Sequence, residues 1–257
     1  GAGWWLEQIC HTRPWTWPLL LIALASALAG RSLEQAVQAV LAALKTSTEL
    51  GPARTALGWI VGRDTTELSR QEILRAAAET ASENAVDGLF APLFWMLIGA
   101  ALWPYGGPGP LALAWGFKAA STLDSMLGYR RGSLRWLGTG GAKLDDLLVW
   151  LPCRLVALSL PLVQRRTARR ALPLAQLALQ EGQPDPSPNA GVSQAIYAHC
   201  LGVQLGGVNR YGERETQKPL LAAGAPAPEA SDVKRLLGLS RRLEVLWLAA
   251  ALLVGAA

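Results

Sequence analysis

The stretch Ala78 to Trp95, AETASENAVDGLFAPLFW, sets a row of acids directly against a greasy segment. Glu79, Glu83 and Asp87 recur every four residues, with Arg75 one turn earlier, so on a helix they form one stripe. Like charges in a line repel by roughly a few tenths of a kcal/mol per pair. A divalent cation or a cationic substrate seated on the stripe relieves that repulsion; a solvated helix face is the competing reading. Asp124 stands in STLDSML, a run otherwise nearly without charge. An ionisable group at the end of a membrane run is costly and is a functional candidate by default, against an ordinary interfacial helix end. Asp145 and Asp146 follow Lys143. They read either as part of an acidic site or as first-turn acids that stabilise a helix dipole. Adjacent residues point in different directions, so at most one of that pair serves the stripe.

The histidines are only His11 and His199, and Cys10, Cys153 and Cys200 are scattered without a CxxC pair. This excludes a disulfide framework and a thiolate or histidine metal cluster. A metal here is expected to be a hard cation on carboxylates, with Glu83 and Asp87 as first choice and Asp124 or Asp146 completing the site. The glycine-rich GTGGAK, Gly138–Lys143, lacks the phosphate-loop spacing because Lys143 falls where the second glycine belongs. It reads as a flexible loop. SPNAG (Ser187–Gly191) and LGGVNRYGE (Leu205–Glu213) offer backbone amides and polar side chains to a phosphate, or are a pair of turns.

The elements that must position these residues are apolar helices. Of the 257 residues 51% are hydrophobic and only 17% are charged, against about 25% in soluble domains. Eleven tryptophans fit the membrane–water interface. Spans are expected near 15–30, 88–103, 110–126 and 243–257, with 144–163, interrupted by Pro152, Arg154 and Pro161, as an interfacial or re-entrant segment. Basic loops at Arg130–Lys143 and Arg165–Arg170 mark the cytoplasmic side. That topology gathers Glu83, Asp87, Asp124, Asp145 and Asp146 on the cytoplasmic face, with residues 31–87 and 164–240 cytoplasmic as well. The expected fold class is an all-α polytopic integral membrane protein, one membrane-embedded domain. Leu33, Val37, Val40, Leu41 and Leu44 mark an amphipathic helix that Gly51-Pro52 should stop. The chain lacks an initial Met, so an N-terminal segment is expected to be missing. The net charge of +5 suits anionic lipid or phosphorylated small molecules. No zinc-finger spacing or aromatic-interleaved basic strand speaks for nucleic acid, and none is expected as a partner.

Six ordered pieces, ARTALGWIVGRDTTELS, ETASENAVDGLFAPLFW, KAASTLDSMLGYR, KLDDLLVWLPCRL, SPNAG and LGGVNRYGE, run from Arg54 to about Tyr211. Together they resemble the adenosylcobinamide-phosphate synthase family (CobD/CbiB) of cobalamin biosynthesis. The resemblance implies an inner-membrane, multi-pass amide ligase with its active site facing the cytoplasm. It would join the corrinoid adenosylcobyric acid to an amino-alcohol phosphate, such as (R)-1-aminopropan-2-yl phosphate or ethanolamine phosphate, using ATP and Mg²⁺. Its partners would be those substrates, the lipid bilayer and other cobalamin-pathway enzymes. The family pattern implies catalytic roles among Glu79, Glu83, Asp87, Asp124 and Asp146. It implies substrate contacts from Asn84, Tyr129, Asp145, Ser187, Asn189, Asn209 and Tyr211. A phosphate needs cations, for which Arg63 (beside Asp64), Lys118, Arg130 and Arg210 are candidates. The chain departs from the family in lacking the opening membrane segment and DP…HP stretch, and in carrying Asp185 where HPSPNAG has histidine. A non-catalytic membrane sensor of the AmpE type is the alternative, but a sensor has no need for acids in all three motifs. A transporter fits less well, because no inverted repeat is visible.

Overall fold

The computed structural model describes residues 1–127, 135–164, 167–211 and 214–255. They divide into two compact units, each assembled from separated stretches of chain.

The first unit comprises Gly1–Ala29, Val86–Pro152 and Leu248–Ala257. It holds α1 (Ala2–Thr12), α2 (Trp17–Ser26), a π-helical turn at Val86–Phe90, α6 (Ala91–Leu102), α7 (Pro110–Leu127) and most of α8 (Arg135–Ser159). α6 ends in a 3₁₀ turn at Trp103–Tyr105, and the chain doubles back through left-handed Gly106 into α7, against which α6 packs. Cys10, Leu20, Ala23 and Leu111 form one buried cluster, and Ala27, Met96 and Ala114 another. Gly138–Lys143, expected as a flexible loop, lies inside α8 instead. The glycines there cost helix propensity, but the apolar run that follows carries the helix through, and Pro152 does not break it.

One buried acid ties this unit together. Glu7 is fully buried on α1, and its Oε1 accepts the N–H groups of Leu111 at 2.5 Å and Ala112 at 3.2 Å. Those are first-turn donors of α7 with no partner inside the helix. Glu7→Ala should strand them and cost about 1–3 kcal/mol of stability, whereas Glu7→Gln keeps an acceptor. Burial holds the Glu7 carboxyl above its ordinary 4.5, so the folded state favours the neutral acid. Thermal stability should therefore rise as pH falls through the raised value towards 4.5. The same scan on Glu7→Gln should lack that rise.

The second unit comprises Gly30–Ala85 and Cys153–Trp247. It holds α3 (Gly30–Thr46), α4 (Gly51–Gly58), α5 (Arg70–Ala85), α9 (Ala171–Gly182), α10 (Ala190–Leu201) and most of α11 (Ala230–Gly255). α3 buries Val37, Val40, Leu41 and Leu44, the face its sequence marks. It ends at Thr46, and Gly51-Pro52 opens α4 rather than stopping α3, because proline suits a first helical turn. The unit also departs from an all-α fold. Leu205–Tyr211 (β1) pairs antiparallel with Arg214–Leu221 (β2), with Gly207 opposite Lys218 and Asn209 opposite Thr216. The LGGVNRYGE segment, read from sequence as a loop, is thus largely strand.

Arg70–Tyr105 and Gly138–Val163 are long and apolar enough to cross a membrane, and the bent pair Pro14–Ser26 and Gly30–Thr46 adds a third stretch if it counts as one. These are the stretches that meet that measure among the described residues. Trp15, Ile22, Met126, Leu147, Leu252 and Leu253 are all exposed. Large apolar side chains facing outward on helices of this kind suit a lipid surround.

Candidate functional site

α5 explains the acidic stripe. Ala76, Ala77, Ala78, Ala81, Ser82 and Ala85 are all buried, so the helix is packed on nearly every side. Glu79 is only 1% exposed. A carboxylate so placed needs partners, and it has three. Arg63 donates Nη2 to Oε2, the Gly206 N–H donates to Oε1 at 2.9 Å, and Arg75 Nε lies 3.8 Å from Oε1. Arg63 also donates Nη1 to Asn209 Oδ1 at 2.6 Å. Arg75 reaches the carbonyls of Gly206 and Val208 at 2.6 and 2.7 Å. β1 is therefore fastened to α5 by charge-assisted bonds. Gly206 and Gly207 make this fit, at φ +83° and +98°. A Cβ on Gly206 would lie 1.9 Å from the Pro219 carbonyl oxygen, and one on Gly207 would lie 2.7 Å from Arg75 Nη1.

One turn on, Glu83 lies deep in the unit while keeping part of its surface accessible. Its Oε2 accepts Gln194 Nε2 at 3.0 Å. Lys218 of β2 faces it and pairs with Asp185 at 2.9 Å, and Asp185 Oδ1 in turn accepts the Ser187 N–H at 3.0 Å. Burial works against the Lys218 ammonium, but the carboxylates of Asp185, Glu83 and Glu79 outweigh it and hold the pKa above the ordinary lysine value. Three polar atoms of this region are buried with no hydrogen-bond partner among the described residues: Gln194 Oε1, Asn209 Nδ2 and Arg75 Nε, the last near Glu79 at 3.8 Å.

SPNAG forms the entry to α10. The Ser187 hydroxyl accepts the N–H groups of Asn189 and Ala190, both at 3.3 Å. Asn189 is buried, and Arg154 donates to its Oδ1 and to the Pro188 carbonyl, the latter at 2.8 Å. Gly191 meets Gly182 at the end of α9 so closely that its Cβ would lie 2.4 Å from the Gly182 oxygen.

In the first unit, Asp145 shares its surroundings with Asp124 and Asp146, accepts a hydrogen bond from Ser121 and faces Lys118. Its Oδ1 is buried without a hydrogen-bond partner among the described residues. The acids of the sequence reading thus occur as two groups, Glu79 and Glu83 with Asp185 in one unit, and Asp124, Asp145 and Asp146 in the other. Asp87 opens the π-helical turn. Among the described residues no three His, Cys, Asp or Glu side chains stand close enough to hold a metal.

The other candidates are placed as follows. Asn84 is exposed and bonds back to Thr80. Asp64 is exposed and accepts the backbone and hydroxyl of Thr66, a bonding that holds its carboxyl below the ordinary range. Tyr129 and Arg130 lie outside the described residues, as do the side chains of Arg210 and Tyr211, whose backbones belong to β1. Asp185, Gln194, Arg154 and Lys218 join the site without having been site candidates from sequence, although Asp185 and Arg154 stood out there for other reasons. A signal existed for Lys218: in RETQKPLL the alternation of a strand puts Thr216 and Lys218 on one face.

Residues 1–240 match the family described as CobD/Cbib protein. The chain belongs to the CobD/CbiB family. The cobalamin biosynthesis protein CobD of Synechocystis sp. is 45% identical over 227 residues, covering 88% of this chain and 64% of that protein. The CobD of Klebsiella pneumoniae is 37% identical over 257 residues, covering 98% of this chain and 74% of the relative. The CbiB of Salmonella typhi is 36% identical with the same coverage. The chain therefore spans between about two thirds and three quarters of these relatives' lengths. No solved structure matches it. Within this CobD/CbiB chain the two late motifs have distinct tasks: SPNAG builds the start of α10, and LGGVNRYGE builds β1 against α5. Asp185, two residues before SPNAG, is the partner of Lys218.

Proposed function

We propose that this CobD/CbiB chain works in cobalamin biosynthesis as an ATP-dependent ligase. In this reading it joins the carboxylate of adenosylcobyric acid to the amine of an amino-alcohol phosphate, at the cytoplasmic face of the inner membrane. Beyond family membership, the observation that carries the reading is the buried group of Glu83, Gln194, Lys218 and Asp185. Amide formation needs an activated carboxylate and an unprotonated amine, and near neutral pH the amine arrives as an ammonium. Glu83 is the proposed base that takes its proton as the C–N bond forms and the activated oxygen leaves. Lys218, facing it, supplies the opposite charge that favours the carboxylate against the cost of its burial. The unpartnered Gln194 Oε1 offers an acceptor to an N–H of the incoming nitrogen. Arg63 and Arg75, both committed to Glu79 and β1, hold the hairpin that delivers Lys218.

Mg²⁺, when bound with ATP, would neutralise the nucleotide phosphates, with Asp87 its proposed protein ligand and Glu83 on the same stripe kept free as the base. Asp124, Asp145 and Asp146 with Lys118 are the second proposed group, and Ser187, Asn189, Asn209 and Tyr211 the proposed substrate contacts.

The decisive experiment incubates the purified full chain in nanodiscs with adenosylcobyric acid, ATP, Mg²⁺ and either (R)-1-aminopropan-2-yl phosphate or ethanolamine phosphate. ATP-dependent formation of adenosylcobinamide phosphate supports the reading, and no product with either amine overturns it. Asp87→Asn should abolish turnover with insertion and melting temperature intact. Near-normal turnover at saturating Mg²⁺ would remove Asp87 from the metal site.

A further inference from the structure

A cleft of about 540 Å³ opens in the second unit, away from Glu83 and its partners. It is lined by Gln164, Thr167, His199, Leu201, Arg235 and Arg242, among others, and among the described residues no carboxylate lines it. Asp232 pairs with Arg235, Glu181 pairs with His199 at 2.8 Å, and Glu244, two residues beyond Arg242, faces Arg241. The C-terminal end of α10 would bring negative carbonyls to the cleft, but they are covered. Gln164 Nε2 donates to the Cys200 oxygen, and Arg235 Nη2 donates to the Leu201 oxygen at 3.1 Å. Gly202 closes the helix in the left-handed conformation. What remains is cationic. Arg235 and Arg242 stand two turns apart on one face of α11. Arg242 is exposed and makes no hydrogen bond or ion pair among the described residues. The neighbouring Arg241, by contrast, is paired with Glu34.

We propose that this cleft binds the phosphate group of an anionic ligand, with Arg242 as its open guanidinium and Arg235 beside it. A guanidinium grips two phosphate oxygens at once, and the cleft has room for more than the phosphate. Its position narrows the sources. Val163, on its wall, ends the apolar stretch Gly138–Val163. Beyond Glu244, α11 turns apolar, with Val245 61% and Leu246 38% exposed. Phosphate at such a boundary comes either from a soluble phosphomonoester, of the kind the proposed ligation consumes, or from the headgroup of an anionic phospholipid.

The test reads binding, not turnover, so it fails or holds independently of the ligase reading. The full chain is placed in nanodiscs of phosphatidylcholine, and its melting temperature is followed while ethanolamine phosphate is titrated. In a second arm, phosphatidylglycerol replaces part of the lipid and no soluble phosphate is present. A rise in the first arm identifies the soluble ester, and a rise in the second only identifies the lipid. Either supports the site if Arg242→Gln and Arg242→Glu weaken the response by roughly 10- to 150-fold in apparent Kd, the loss of one charge-assisted bond. Arg242→Lys should retain part of it. No stabilisation in either arm overturns the proposal, as does an undiminished response in Arg242→Gln.

Discussion

Glu79→Ala should unfasten the β-hairpin. The substitution leaves the Arg63 guanidinium, 9% exposed, and the Gly206 N–H without their acceptor in a packed interior. Removing one partner of a buried ion pair costs about 3–5 kcal/mol, far more than the pair itself contributes over an apolar replacement. The loss should show as a lower unfolding midpoint and as faster amide exchange in Leu205–Tyr211. Glu79→Gln, which still accepts the Gly206 N–H, should lose less. Wild-type stability and exchange in Glu79→Ala, with turnover gone, would instead make Glu79 a residue that touches substrate.

Glu83→Gln is the opposite case. Glutamine fills the same space and still accepts from Gln194, so the melting temperature should barely move. Turnover should fall by about 10²–10⁴, the usual contribution of a positioned general base. The loss should lie in kcat, because an uncharged side chain still occupies the substrate's surroundings but cannot take the proton. Lys218→Met should also lower kcat at neutral pH and weaken the hold on Asp185. A Glu83→Gln variant that keeps more than a tenth of its kcat would end the assignment of Glu83 as base.

Much of this arrangement was legible in the sequence, and the parts that were not have a physical reason. Apolar runs and helical periodicity found most helices, because burial of one face leaves a repeating trace. The four-residue spacing put Glu79 and Glu83 on one face, yet it could not tell that the face is interior. That follows from the alanines around them, which let neighbouring elements close in. The hairpin was hidden because Gly206 and Gly207 carry the signature of turns. What makes them strand is Arg75, 131 residues away from Gly206 in the chain. Asp185 and Lys218 were hidden for a similar reason. Asp185 stands among prolines and Lys218 among the mixed charges of RETQKPLL, and only the fold makes them a pair. The expected helix stop at Gly51-Pro52 failed because proline both ends one helix and begins the next, and sequence alone does not say which.

The fastening of Glu79 also bears on how the chain is made. Its partner amide, Gly206, follows 127 residues later, and the unit containing both is interrupted by the chain that builds the other. During synthesis Arg63, Arg75 and Glu79 must wait, charged and without their strand, until that intervening chain has emerged. Loops of this length close slowly compared with local helix formation. The helices of α3 to α5 therefore exist well before the pocket around Glu83 does. Any truncation before β1 should yield a product that is helical yet readily degraded, because the pocket around Glu83 is completed only when a short hairpin arrives.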